Sequence, residues 1–280
     1  MQLGISTWVW TSPATDDVLR RLIPHIAALG YDVIEIPMEY AGQFDVQAAK
    51  TLAEAEGLAI SVCAVIGGGR DLLLDEERAA GETYLRAAID LAAALDAPAV
   101  AGPFYSAVGR CWVQTPAERE RDLASLAETL RRLGAYAADN GVSLALEPLN
   151  RFETSFINTT AQALDLIARV DHPAVGLGLD LFHLGIEEKS PGDAIRAAGA
   201  HLKHVQVAEN DRGTPGTGHL PWQDFARALQ DIGYEGRVVI ETFSDRVEAI
   251  ARAAAIWRPL APDSDTLARE GLRFLRHLLG

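Results

Sequence analysis

Four side chains with oxygen donors stand at the ends of short β-rich runs in the second half of the chain. Glu147 closes LALE, Asp180 closes GLGLD, Gln206 lies in HVQVAEND and Glu241 closes VVIE. Three carboxylates brought into one apolar enclosure repel each other and are expensive to desolvate unless a cation compensates them. The set therefore predicts a divalent metal site. Oxygen ligands without a thiolate or clustered imidazoles favour Mn2+ or Mg2+, with Co2+ acceptable, over Zn2+. Taken singly, each acid has a blander reading, as a cap of the following helix or a partner of Arg151 or Arg212. Four such residues at the ends of successive strands call for convergence.

Convergence requires a scaffold that brings consecutive strand ends to one point. Short β-rich runs alternate along the whole chain with Ala-, Leu- and Arg-rich segments of helical period, the pattern of a parallel sheet with crossover helices. The runs are Leu3 to Thr7, Val33 to Pro37, Leu58 to Val65, Ala99 to Gly102, Val142 to Glu147, Val175 to Asp180, Leu202 to Ala208 and Arg237 to Glu241. Gly30, Gly57, Gly141 and Gly233 fall where a helix ending before the next strand needs a left-handed residue. No GxGxxG follows the first run, which argues against an open dinucleotide-binding sheet. The expected fold is a single-domain (β/α)8 TIM barrel over residues 1–280, with its active site at the C-terminal ends of the strands.

Composition agrees with this scaffold. The chain is 49% hydrophobic but only 7% aromatic, so aliphatic residues must fill a barrel core and its helical jacket. Its 39 acidic and 25 basic residues leave a formal charge of -14, which disfavours nucleic acid and anionic membranes as partners. No run approaches the length of a membrane span, and MQLGISTWVW lacks the basic and long apolar regions of a signal peptide, so a cytoplasmic protein is expected. Cys63 and Cys111 have no metal-ligand spacing and read as ordinary residues.

At LEPLNRFETSFINT, LDLFHLGIEE and HVQVAENDRGTPGTGHLPW the chain resembles the D-tagatose/D-allulose (psicose) 3-epimerases, within the xylose-isomerase-like TIM barrels. The likeness extends to GPFYSAVG, VVIETF and IWRPL, so it spans most of the sequence. The resemblance implies metal ligands at Glu147, Asp180, Gln206 and Glu241, with Glu147 and Glu241 also serving as two opposed acid/bases. It implies epimerisation of a free ketose at C3 through a metal-stabilised enediolate. His183, Arg212, Glu153 and Trp112 match positions that contact substrate, and the family implies a homodimer or homotetramer. One position departs: Gln206 stands where these epimerases have histidine, as in hydroxypyruvate-isomerase-like relatives. His204, one layer deeper on the same strand face, is the alternative ligand or a buried core histidine.

That departure keeps alternatives open: an aldose-ketose or hydroxypyruvate-type isomerase, a lyase or dehydratase acting on an oxidised sugar or inositol, and a barrel that only binds sugar. A DNA-repair metallonuclease is disfavoured by the acidity and the scarcity of histidines. Glu153 could instead pair with Arg151 or Arg212. Trp8, Glu35, Cys63, Phe104 and Trp112 fall at or just after strand ends, where lining and plain packing are equally open readings. GTPGTGH at residues 213–219 offers only Arg212 as a fixed cation and lacks a Walker pattern, so it is not expected to hold phosphate.

Overall fold

The computed structural model describes residues 1–243, 245 and 247–280. Eight parallel strands close on themselves in chain order: β1 Gln2–Ser6, β2 Val33–Met38, β3 Ala59–Ala64, β4 Ala99–Gly102, β5 Ser143–Leu146, β6 Val175–Asp180, β7 Leu202–Val207 and β8 Arg237–Ile240. The barrel closes where β1 pairs with β8, from Gln2 opposite Arg237 to Ile5 opposite Ile240. All eight expected strands are present. Thr7 belongs instead to a 3-10 turn, and Glu147, Ala208 and Glu241 lie just beyond their strands. Leaving the ladder frees the two glutamates to turn over the mouth. Their amides remain anchored, Glu147 N donating to Gly102 O at 3.0 Å and Glu241 N to Val207 O at 3.0 Å.

The jacket is formed by α1 Asp16–Leu29, α2 Val46–Ala55, α3 Asp75–Ala94, α4 Pro116–Asp139, α5 Thr160–Val170, α6 Leu181–Glu187, α7 Pro191–Ala198, α8 Trp222–Asp231, α9 Glu248–Ala253 and α10 Ser264–Leu279. Local sequence accounts for their limits. Thr115 with Glu118, and Thr159 with Gln162, make reciprocal capping boxes that start α4 and α5. Gly30, Gly57, Gly141 and Gly233 all adopt positive φ in the turns that return the chain to the barrel. In α10 the buried residues Leu267, Ala268, Gly271, Leu272 and Leu275 recur at helical spacing and form the face turned to the barrel. No helix among the described residues is long and apolar enough to cross a membrane.

Register places the site directly. Asp180 is paired with Gln206 across β6 and β7, and Gln206 with Val239 across β7 and β8. Gly102 at the end of β4 has φ +137°, and a Cβ there would lie 2.1 Å from Ala64 O. This close approach carries the carbonyl that holds Glu147. Gly102→Ala is expected to lower the unfolding free energy by about 3 kcal/mol or more, from backbone strain added to overpacking. Urea denaturation checks this, and a change below about 1 kcal/mol would mean that the strand end yields easily.

Candidate active site

Glu147, Asp180, Gln206 and Glu241 are each 4% exposed or less, at the ends of β5 and β6, within β7 and just after β8. Arg212, from the loop after β7, reaches among them. Its Nη1 donates to Asp180 Oδ2 at 2.5 Å and to Glu241 Oε2 at 3.2 Å, while its guanidinium lies 3.9 Å from the Phe182 ring centroid. Gln206 Nε2 donates to Glu241 Oε1 at 2.8 Å. Asp180 Oδ1 accepts the backbone N–H of Phe182 at 3.0 Å, so this acid does cap the following helix and does pair with Arg212. Two buried oxygens in the group, Glu147 Oε1 and Gln206 Oε1, have no hydrogen-bond partner among the described residues.

Charge in this enclosure is poorly balanced. Burial, reinforced by Glu241 and Asp180, pushes the Glu147 carboxyl well above the usual range. Asp180 is raised mainly by burial, against the pull of Arg212, and Glu241 is pushed up to about 8 by burial over the same opposition. Burial and the neighbouring Arg212 hold His183 well below the usual imidazole range, and therefore neutral. Its Nδ1 accepts the backbone N–H of Asn150 at 3.0 Å, and its Nε2 lies 3.1 Å from Arg212 Nη2 and 3.5 Å from Glu147 Oε1, so the ring is held between these groups, although it clusters with Glu147 and Asp180 at ligand-like distances. Orphaned oxygens on Glu147 and Gln206, with carboxylate oxygens from Asp180 and Glu241, form an all-oxygen donor set that fits a hard divalent cation.

The site opens into a cavity of about 650 Å³ at the C-terminal end of the barrel. Glu147, Glu153, His183, Arg212 and Glu241 form one wall, and Trp8, Met38, Val65, Ile66 and Val108 contribute apolar surface elsewhere. Glu153 Oε1 accepts from Asn150 Nδ2 at 2.8 Å, whereas Arg151 is engaged by Glu187 at 2.9 Å. Glu153 thus faces the cavity without an ion pair to Arg151.

Residues 23–278 match the model of the xylose isomerase-like TIM barrel family. The chain belongs to this family. It is 33% identical to a ketose 3-epimerase of Arthrobacter globiformis, over 100% of this chain and 97% of the relative. It is 34% identical to a D-psicose 3-epimerase of Agrobacterium fabrum, over 92% of each. Among solved structures, D-allulose 3-epimerase from Methylomonas sp. superposes with a TM-score of 0.93 at 32% identity, covering 100% of this chain and 98% of that one. D-psicose 3-epimerase with D-tagatose from Clostridium cellulolyticum H10 gives 0.91 at 31%, covering 100% and 99%. This xylose isomerase-like barrel is thus an enzyme of the sugar epimerase and isomerase group, aligned with ketose 3-epimerases over its whole length.

Several sequence expectations for this barrel need adjustment. Trp112 is not at the cavity: its ring stacks on Phe156 with centroids 5.9 Å apart, the Arg110 guanidinium lies 3.8 Å from its ring centroid, and its backbone N–H donates to Ser155 Oγ. The loop after β4 folds it against its neighbour, a placement its position in sequence cannot reveal. Phe104, Cys63 and Glu35 are wholly buried and do not line the cavity, while Trp8 does. His204 lies in the layer beneath the site, 2.8 Å from Glu35. In the stretch from Gly213 to His219, the Gly216 amide is spent on Glu209, which also holds Leu220 N and Trp222 Nε1. The loop is thus tied inward on its own carboxylate. Sequence reading missed Asn150, which orients both His183 and Glu153; its only signal was its place inside LEPLNR.

The raised Glu241 has a measurable consequence. An unfolded glutamate titrates near about 4.3, so between that pH and about 8 the folded metal-free protein binds more protons than the unfolded chain. Its stability therefore falls as pH rises through this window. A bound cation keeps the carboxylates ionised and removes that loss. The difference in unfolding temperature between Mn2+-loaded and EDTA-stripped protein is expected to widen as pH rises through the window, and a constant difference would show that the carboxylates are not cation ligands.

Proposed function

We propose that this enzyme epimerises a free ketose of the tagatose, allulose or ribulose type at C3, with one divalent cation, Mn2+ or Mg2+, held by Glu147, Asp180, Gln206 and Glu241. The observation that carries the reading is the pair of buried oxygens, on Glu147 and Gln206, unpartnered among the described residues and set within a group of carboxylates that the Arg212 guanidinium leaves undercompensated. The full-length likeness to enzymes named ketose 3-epimerase, L-ribulose 3-epimerase and D-psicose 3-epimerase supports the choice of reaction.

Epimerisation at C3 removes the proton beside the C2 carbonyl, passes through an enediolate and returns a proton to the opposite face. When bound, the cation supplies electrophilic stabilisation for negative charge developing on the substrate oxygens. Glu147 and Glu241, on strand ends separated by β6 and β7, are the two groups that exchange the proton with C3. One takes it as a carboxylate and the other gives it as an acid, and the direction of reaction decides which. His183 Nε2 and Arg212 Nη2, 3.1 Å apart, stand together on the cavity wall and hold sugar oxygens there. Glu153 accepts from the substrate hydroxyls further out, and the apolar surface of Trp8, Met38 and Ile66 covers their C–H faces.

Gln206 favours one second reading, aldose-ketose or hydroxypyruvate-type isomerisation, because that ligand is the departure from the epimerase pattern. Val113 and Phe152, 98% and 75% exposed on loops joined by the Arg110–Thr154 bridge, support a homodimer or homotetramer, which light scattering tests. A cytoplasmic location completes the proposal.

Incubation of the Mn2+-loaded protein with tagatose, fructose, allulose and ribulose in D2O is expected to place deuterium at C3 and yield the epimer, read by NMR. Deuterium at C1 with an aldose product would replace the epimerase reading by the isomerase one, and no exchange despite bound metal would sink the free-ketose substrate class. Glu147→Gln and Glu241→Gln are each expected to lower kcat by about 10²–10⁴-fold.

A further inference from the structure

A second group of ligand-type side chains lies beneath the site: Glu35 from β2, Cys63 from β3 and Glu241. The Gln206 amide occupies this deeper group. Its Nε2 donates to Glu35 Oε1 at 2.9 Å and to Glu241 Oε1 at 2.8 Å, so both amide protons are spent on carboxylates. The reverse orientation would set a carbonyl oxygen against two carboxylate oxygens at those separations and leave the NH2 group facing the site. Electrostatics therefore permits one orientation, with the buried Oε1 turned away from Glu35 and without a partner.

Such orientation is a need particular to an amide. The two ends of a glutamine side chain exchange by a half-turn about a soft terminal torsion, and only the oxygen end can ligate a cation. Glu241 cannot alone impose the choice, because its other oxygen accepts from Arg212 and the group stands at the mouth. Glu35 is 0% exposed, and its second oxygen is 2.8 Å from Nε2 of the buried His204. A carboxylate only accepts, so His204 presents Nε2–H and braces Glu35 from the layer below. The chain of contacts runs from His204 through Glu35 and the Gln206 amide to Glu241.

We infer that Glu35, braced by His204, is a positioning residue that aims the Gln206 carbonyl oxygen at the cation and, through the same amide, holds Glu241 in place. This rests on the metal-dependent reading above. Hydrogen-bonded partners behind metal ligands fix ligand orientation, and losing one costs about 10- to 100-fold in metal affinity.

The test is Mn2+ titration of EDTA-stripped protein, with free Mn2+ read by electron paramagnetic resonance, on wild type, Glu35→Gln, Gln206→Ala and the double variant. Thermal unfolding of each metal-free form shows that it is folded. Glu35→Gln is expected to weaken Mn2+ binding by about 10- to 100-fold. In the Gln206→Ala background the same change is expected to add nothing, because Glu35 acts through that amide. Unchanged affinity in folded Glu35→Gln, or losses that add in the double variant, overturns the inference while leaving the metal site intact. Wild-type protein that binds no Mn2+ overturns it together with the reading on which it rests. Should Glu35→Gln fail to fold, Glu35→Asp keeps the charge and shortens the reach; it is expected to show the same loss and the same non-additivity, and wild-type affinity in that variant overturns the inference equally.

Discussion

Glu35, Glu147, Asp180 and Glu241 lie at 4% exposure or less in one barrel, and the guanidinium that reaches two of them, Asp180 and Glu241, belongs to Arg212. Desolvation on this scale is tolerated only where each oxygen finds a donor or a cation. Much of the surrounding structure can be understood as meeting that demand. Arg212 adopts positive φ, its N–H donating to Glu209 O and its carbonyl accepting from Thr242 Oγ1, so the backbone turns the guanidinium inward. Glu209 accepts three backbone donors from the following loop and the Trp222 indole N–H at the start of α8, and keeps Arg212 on a firm base. Oxygens of Glu147 and Gln206 have no partner among the described residues, and the proposed cation would meet the demand there.

Barrel topology divides the labour around the cavity. Strand ends and loops from β5 to β8 supply Glu147, Glu153, His183, Arg212 and Glu241, while the segments after β1 to β4 add Trp8, Ile66 and Val108 together with Glu39 and Arg70. Such mixed polar and apolar lining suits a ligand that presents hydroxyls along its edges and C–H groups on its faces. Because all strands are parallel, every donor set is delivered at one end, and the opposite end is left to stability. Asn150 links the halves of the polar wall, since its backbone N–H holds His183 and its side chain holds Glu153, so one residue orients both.

A glutamine as the proposed ligand on β7 makes the deeper layer matter. An imidazole ligand presents a lone pair on a rigid ring, whereas an amide must be told which end to offer. Here the instruction comes from Glu35 across the barrel on β2, and His204 supports it from the strand that carries Gln206. Cys63 completes the packing around this layer, where burial and the surrounding acids push its thiol up and keep it unreactive.

The periodic alternation, the glycine-marked helix ends and the four strand-end residues were legible in the sequence because each depends on neighbours within a few positions. Local chemistry thus determined the barrel and pointed to Glu147, Asp180, Gln206 and Glu241 as candidates, with the family resemblance favouring Gln206 over His204. Residues whose role depends on long-range partners were not legible in the same way. Glu35 and Gln206 are separated by most of the chain, and only closure of the barrel makes them bonded neighbours. Trp112 shows the converse, since a favourable place after β4 did not decide whether its ring faced the cavity or Phe156. Asn150 bonds to His183 on α6, beyond α5 and β6, a contact invisible until β5 and β6 lie side by side. Sequence determined which groups arrive at the mouth; tertiary structure decided which way each one points, because orientation is set by hydrogen-bond partners that the chain brings together only when folded.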